Sequence, residues 1–122
     1  MGEDELELLL ALDGSDFEMA QGVIVEFTAR RARVTPERPH GLSYAFVLRP
    51  KDGSPWVRFD NAHAVAAGGR GYRQRRAAYD HWHRTENDKG RPYNFTTAAR
   101  LLDDFWNEVR RVLNDKGIPH DL

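Results

Sequence analysis

Leu42-Ser43-Tyr44-Ala45-Phe46-Val47-Leu48-Arg49, then Lys51-Asp52-Gly53-Ser54-Pro55, then Trp56-Val57-Arg58-Phe59-Asp60 decide how this chain folds. Leu42, Tyr44, Phe46 and Leu48 occupy every second position, the period of a strand with one buried face. The Asp-Gly pair suits the positive φ of a hairpin connection. In the last run Val57 and Phe59 share one face, and Trp56, Arg58 and Asp60 share the other. Burying Phe59 therefore presents Arg58 and Asp60 together on the opposite side of the sheet.

The pattern extends in both directions. Upstream, Val23 to Val34 predicts a strand with Val23, Val25, Phe27 and Ala29 on one face and an arginine-rich end, stopped by Thr35-Pro36-Glu37-Arg38-Pro39. Before it, Leu6, Leu8, Leu10 and Leu12 alternate and predict a first strand, with Asp13-Gly14-Ser15-Asp16 as the turn. Downstream, Asn61 to Tyr79 is rich in Gly, Ala and Arg and reads as a loop with a helical turn near Arg73 to Ala78. Tyr79 to Arg84 reads as a short strand with His81 and His83 on one face; a helix would set them about 200° apart. After a polar loop from Thr85 to Arg91, Thr96 or Thr97 offers an N-cap. Leu101, Leu102, Phe105, Val109, Val112 and Leu113 then recur at helical spacing, and Gly117 and Pro119 end the helix. The expected fold is α+β, an antiparallel sheet of about four to five strands packed against a long C-terminal helix.

The 122 residues suit a single domain, 1–122, with a basic insertion loop at about 62–79. There is no cysteine, which excludes disulfides and thiolate–zinc sites. No apolar run approaches the roughly 20 residues of a membrane span. The acidic start lacks a signal-peptide n-region, and Leu6 stands where myristoylation wants Ser or Thr, so a cytoplasmic protein is expected. The net charge of −1 conceals polarity: residues 1–29 carry eight acids and no Lys or Arg, and residues 30–100 carry fifteen Lys/Arg against six acids. A basic middle of this kind attracts polyanions or pairs with the acidic segment; charge alone leaves both readings open.

Arg58, Asp60, Asn61, Asp80, His81, His83 and Arg84 concentrate acids, imidazoles and guanidinium groups in one region. Metal-independent RNA cleavage needs a base for the ribose 2′-OH, an acid for the leaving 5′-oxygen and cations for the charged intermediate. His81 and His83 suit the first two roles, since imidazole titrates near pH 6.5. Arg58 and Arg84 suit the third. Asp60 or Asp80 would orient an imidazole, and Tyr93 would stack on a base. An alternative is a metal site of His81 and His83 with Asp60, Asp80 or His63, which the neighbouring arginines oppose. A third reading is a binding module without catalysis. In it Arg70, Arg73, Arg75 and Arg76, interleaved with Tyr72 and Tyr79, form an arm for phosphate and base contacts. Asn61 and Tyr93 complete the candidate RNA-contacting set. His40 and His120 read as incidental, and Trp56 and Tyr44 as sheet packing.

Arg-Phe-Asp-Asn at 58–61, Asp-His-x-His at 80–83, Pro-Tyr-x-Phe at 92–95 and Leu-Leu-x-Asp-Phe at 101–105 together resemble the TumE-type toxin family of prokaryotic toxin–antitoxin modules. The likeness covers roughly residues 41 to 113. It departs from the family's pattern where Ala62 to Tyr79 intervene between the two central motifs, and in the arginine-rich second strand. The resemblance implies a type II toxin held inactive by a cognate antitoxin, often a small DNA-binding protein. Combined with the chemistry above, it predicts growth inhibition through RNA or translation without a cofactor, either by cleavage or by occupancy, with homodimerisation open.

Overall fold

The computed structural model describes residues 3–36, 38–61, 65–66, 77–78, 80–85 and 90–122. A helix, α1 (Glu3–Leu10), leads into β1 (Asp16–Glu18), a 3-10 turn (Ala20–Gly22), β2 (Ile24–Arg31), β3 (Leu42–Arg49) and β4 (Val57–Asp60). The short strands β5 (Val65–Ala66), β6 (Ala77–Ala78), β7 (His81–His83) and β8 (Arg91–Pro92) follow, and α2 (Ala98–Asp115) closes the fold. Six strands form one antiparallel sheet in the order β1-β2-β3-β4-β7-β8, while β5 and β6 pair separately. The fold is α+β as expected, with one strand more at the edge.

The strand expected at Leu6 to Leu12 is a helix. Five leucines among residues 6–12 satisfy a period of two and a period of 3.6 equally well, and the surroundings choose. Leu6 and Leu9, three apart, are buried together, while Leu8 is 49% exposed. Glu3 and Glu7, one turn apart, both accept from Arg31 Nη2, at 2.6 and 2.5 Å. Three acids in the first turn also suit the positive helix N-terminus. The edge strand is β1 instead, in the stretch that begins as a turn at Asp13. Ala77 and Ala78, expected in a helical turn, pair with Val65 and Ala66; the remainder of the 62–79 insertion lies outside the described residues.

One face of the sheet is covered by α2. The register aligns Phe27, Phe46, Phe59 and Trp82 in a single row across four strands. Phe105 of α2 sits over that row, with centroids 5.5, 5.7 and 5.9 Å from Phe27, Phe46 and Phe59. Phe59 and Trp82 stack at 5.4 Å. Each such ring pair adds about 0.5–1.5 kcal/mol beyond the area it buries, so the row pins the register of all four strands. Thr97 caps α2, its hydroxyl accepting from the Arg100 N–H at 3.1 Å. Gly117, at φ 68°, ends it: the N–H groups of Gly117 and Ile118 return to Asn114 and Leu113 carbonyls, and Ile118 is buried.

Candidate functional site

The aromatic row determines what happens on the opposite face. With Trp82 held against Phe59, the ladder places His83 opposite Arg58 and His81 opposite Asp60. Side chains alternate across a strand, so these four positions share the face that α2 does not cover. The cross-strand neighbours on β3 are Val47 beside Arg58 and Ala45 beside Asp60, with Ser43 following on the same face. Their small side chains make a low floor next to the charged row.

Arg58 Nε donates to Asp60 Oδ2. Asp60 is fully buried and the Arg58 side chain is 35% exposed. Burying a carboxylate is costly, and the guanidinium offsets part of that cost. The Nη donors of Arg58 carry no bond among the described residues, so the guanidinium is tethered at one end and open at the other. His83 is half-buried; His81 is placed by its backbone register alone. Among the described residues no three His, Asp or Glu side chains are gathered to hold a metal ion. His63 lies outside those residues.

Other candidate residues lie elsewhere. Asp80 shares its parity with Trp82, on the helix side, where its Oδ1 accepts from the Tyr44 hydroxyl at 2.8 Å. Burial holds the Tyr44 phenol well above its usual range, and the Asp80 carboxylate adds to the shift. Arg84 also faces α2: its Nε is 4.0 Å from Glu108, and its carbonyl accepts from Arg111. Tyr93 packs edge-on against Phe59 at 5.3 Å and donates to Asp104 at 2.6 Å. Burial, then the bond to Asp104, raises the Tyr93 phenol too. These three side chains are separated by the sheet from the Arg58 row.

Asn61 lies directly after β4. It is 3% exposed, its Oδ1 accepts from the Tyr44 N–H at 3.0 Å, and its Nδ2 donates to the Leu42 carbonyl at 2.6 Å. The side chain continues the β3–β4 ladder past the end of β4, with each amide atom bonded to the β3 backbone. Arg70, Arg73, Arg75 and Arg76, with Tyr72 and Tyr79, lie outside the described residues. The small floor at Ser43, Ala45 and Val47 was missing from the sequence reading. Its signal was the parity of β3 counted against that of β4.

No described helix is long and apolar enough to cross a membrane. Comparison with curated proteins and with solved structures gives no match. The profile described as Toxin TumE matches residues 3–113, which takes in the α1 helix, the whole six-stranded sheet and nearly all of α2. With that span matched, the chain belongs to the TumE toxin family.

Proposed function

We propose that this toxin inhibits growth by cleaving RNA without a metal ion, on the face of the sheet that α2 does not cover. The observation that carries the reading is the β4–β7 register, which sets Asp60 against His81 and Arg58 against His83. One imidazole takes the proton of a ribose 2′-OH as that oxygen attacks phosphorus. The other gives a proton to the departing 5′-oxygen, leaving a 2′,3′-cyclic phosphate and a 5′-hydroxyl. Arg58 directs its Nη donors at the charged phosphorane, and Asp60 fixes the guanidinium from behind. The floor of Ser43, Ala45 and Val47 gives the strand room to lie against the row. Asp80 acts at one remove, anchoring the start of β7 through Tyr44. Arg84 and Tyr93 have no part in this chemistry, since both pack toward α2.

The surrounding system is read as a cytoplasmic type II module whose antitoxin is a small DNA-binding protein. The test is induction of the chain alone with sequencing of RNA ends, alongside His81→Ala and His83→Ala. The expected result is new ends in the wild type that persist in EDTA, and loss of about 10²–10⁴ in cleavage rate in each variant with the fold intact. Intact RNA with salt-sensitive binding would replace cleavage by occupancy. Cleavage abolished by EDTA would put a metal on His81, His83 and Asp60. Undiminished toxicity of both stably expressed variants would remove the histidines from the mechanism.

A further inference from the structure

The sheet ends in two unlike edges. At one end β8 carries Pro92, which has no N–H to offer, and β5 lies beside it. At the other end β1 is paired on one side only, and Asp16, Phe17 and Glu18 are all exposed. The Phe27 N–H donates to the Ser15 carbonyl at 3.0 Å, and the Met19 N–H to the Val23 carbonyl at 2.6 Å. By the alternation of an antiparallel ladder, residues 15, 17 and 19 face β2, and the backbone groups of Asp16 and Glu18 point outward. Among the described residues nothing bonds those outward groups.

The side chains reinforce the point. Glu3, Glu7, Asp13 and Glu26 each meet an arginine. Asp16 and Glu18 form no ion pair among the described residues. Asp16 also stands directly opposite Glu26, a like-charge placement that costs stability. On the helix side Phe17 touches Phe27 edge-on at 5.9 Å and is still 44% exposed, so the core layer runs out to the edge uncapped.

We infer that the β1 edge is a strand-addition site for an extended, basic segment of a partner protein, the antitoxin being the partner a toxin family implies. The added strand hydrogen-bonds the outward N–H and C=O groups of Asp16 and Glu18. It sets Lys or Arg beside the two carboxylates on one face and an apolar side chain over Phe17 on the other. Charged, short edges deter indiscriminate pairing; an acidic one admits a basic strand and repels the rest. A second copy presenting its own β1 would bring like carboxylates together, and a nucleic acid would be repelled. The site lies four strands, about 19 Å, from β7, so it stands whether or not the histidines perform chemistry.

The test is amide NMR and hydrogen exchange on the labelled chain, titrated at low salt with acetyl-Lys-Val-Lys-Val-Lys-amide and, separately, with its Glu-for-Lys counterpart. The basic peptide is expected to give saturable shifts confined to residues 14–19 and several-fold slower exchange at the Asp16 and Glu18 amides. Both effects should vanish in Asp16→Lys/Glu18→Lys and in Glu18→Pro, which deletes an outward N–H that the β2 ladder does not use. Thermal unfolding reports whether each variant keeps its fold, and the charge reversal carries the test if the proline variant does not. Equal response to the acidic peptide overturns the inference. So do shifts centred on Arg58 and His83, unchanged exchange at Asp16 and Glu18, or protection that grows with chain concentration alone.

Discussion

The two faces of the main sheet are made from the same strands and obey different rules. On the helix side, Phe27, Phe46, Phe59 and Trp82 line up under Phe105, and the polar groups that reach this side are tied down: Asn61 to β3, Asp80 to Tyr44, Tyr93 to Asp104. On the side that α2 does not cover, half-buried Arg58 stands between Val47 of β3 and half-buried His83 of β7, and Asp60 is fully buried and bonded to Arg58. The difference teaches that strand parity separates the residues that pack the fold from the charged row the sheet presents. Moving one position along β4 or β7 crosses from one to the other. The faces are still coupled, because the aromatic row on one side sets which residues meet on the other.

If the faces divide in this way, changes on the helix side should cost stability first. Phe105→Ala is expected to have the largest effect, about 3–5 kcal/mol by chemical denaturation, because the ring bridges three strands. Toxicity would then fall in proportion to the folded fraction. Asn61→Ala comes next. It orphans the Tyr44 N–H and the Leu42 carbonyl, both buried, at roughly 1–3 kcal/mol each, for a loss of about 2–6 kcal/mol. Toxicity per folded molecule should be unchanged. A stable Asn61→Ala protein that loses toxicity would give this residue a role beyond the fold and break the division.

Much of this was legible in the sequence. Alternation fixed β3 to the residue, Leu42–Arg49, because every core-facing position there is large and apolar. The Arg58/Asp60 row and the shared face of His81 and His83 followed from parity alone. Two things were not readable. The leucines of residues 6–12 fit either period, and only the docking of Leu6 and Leu9 and the reach of Glu3 and Glu7 to Arg31 decide for a helix. Asp80, Arg84 and Tyr93 are the right residue types near the right motif, but adjacency in sequence does not carry facing. Asp80 bonds Tyr44 on the helix side, while the very next register position, that of His81, falls on the other face. Asn61 sits one residue past the strand, where an amide serves as a ladder rung as readily as a ligand contact.

Alkaline titration sharpens the comparison with a smaller effect. Burial and Asp80 raise the Tyr44 phenol in the folded chain above its unfolded value, which lies near 10. Between the two pKa values the unfolded state binds fewer protons than the folded one, so stability falls as pH rises. The contribution is therefore complete below about pH 10 and disappears as pH climbs toward the folded value. Tyr44→Phe should cost about 1–2 kcal/mol at neutral pH, through the lost bond to a carboxylate, and should flatten the alkaline decline. Tyr93, raised in the same direction, accounts for the slope that remains. Denaturation series at stepped pH read both effects. An unflattened decline in Tyr44→Phe would mean that the phenol is not held protonated by this environment.

The smallest effect belongs to the face that α2 does not cover. Glu26 bonds Arg49 and stands across from Asp16. Its side chain is 36% exposed and that of Arg49 31%, so solvent screens the pair. Glu26→Gln removes one attraction and, in the same step, the repulsion with Asp16. Arg49 keeps its bonds to the Pro50 and Lys51 carbonyls, at 3.2 and 2.9 Å. The two terms oppose, and the expected change is within about 0.5 kcal/mol. Denaturation at low and high salt should give nearly the same small number. A loss of more than about 2 kcal/mol would place this ion pair among the groups that hold the fold, and parity would no longer separate what stabilises the sheet from what it presents.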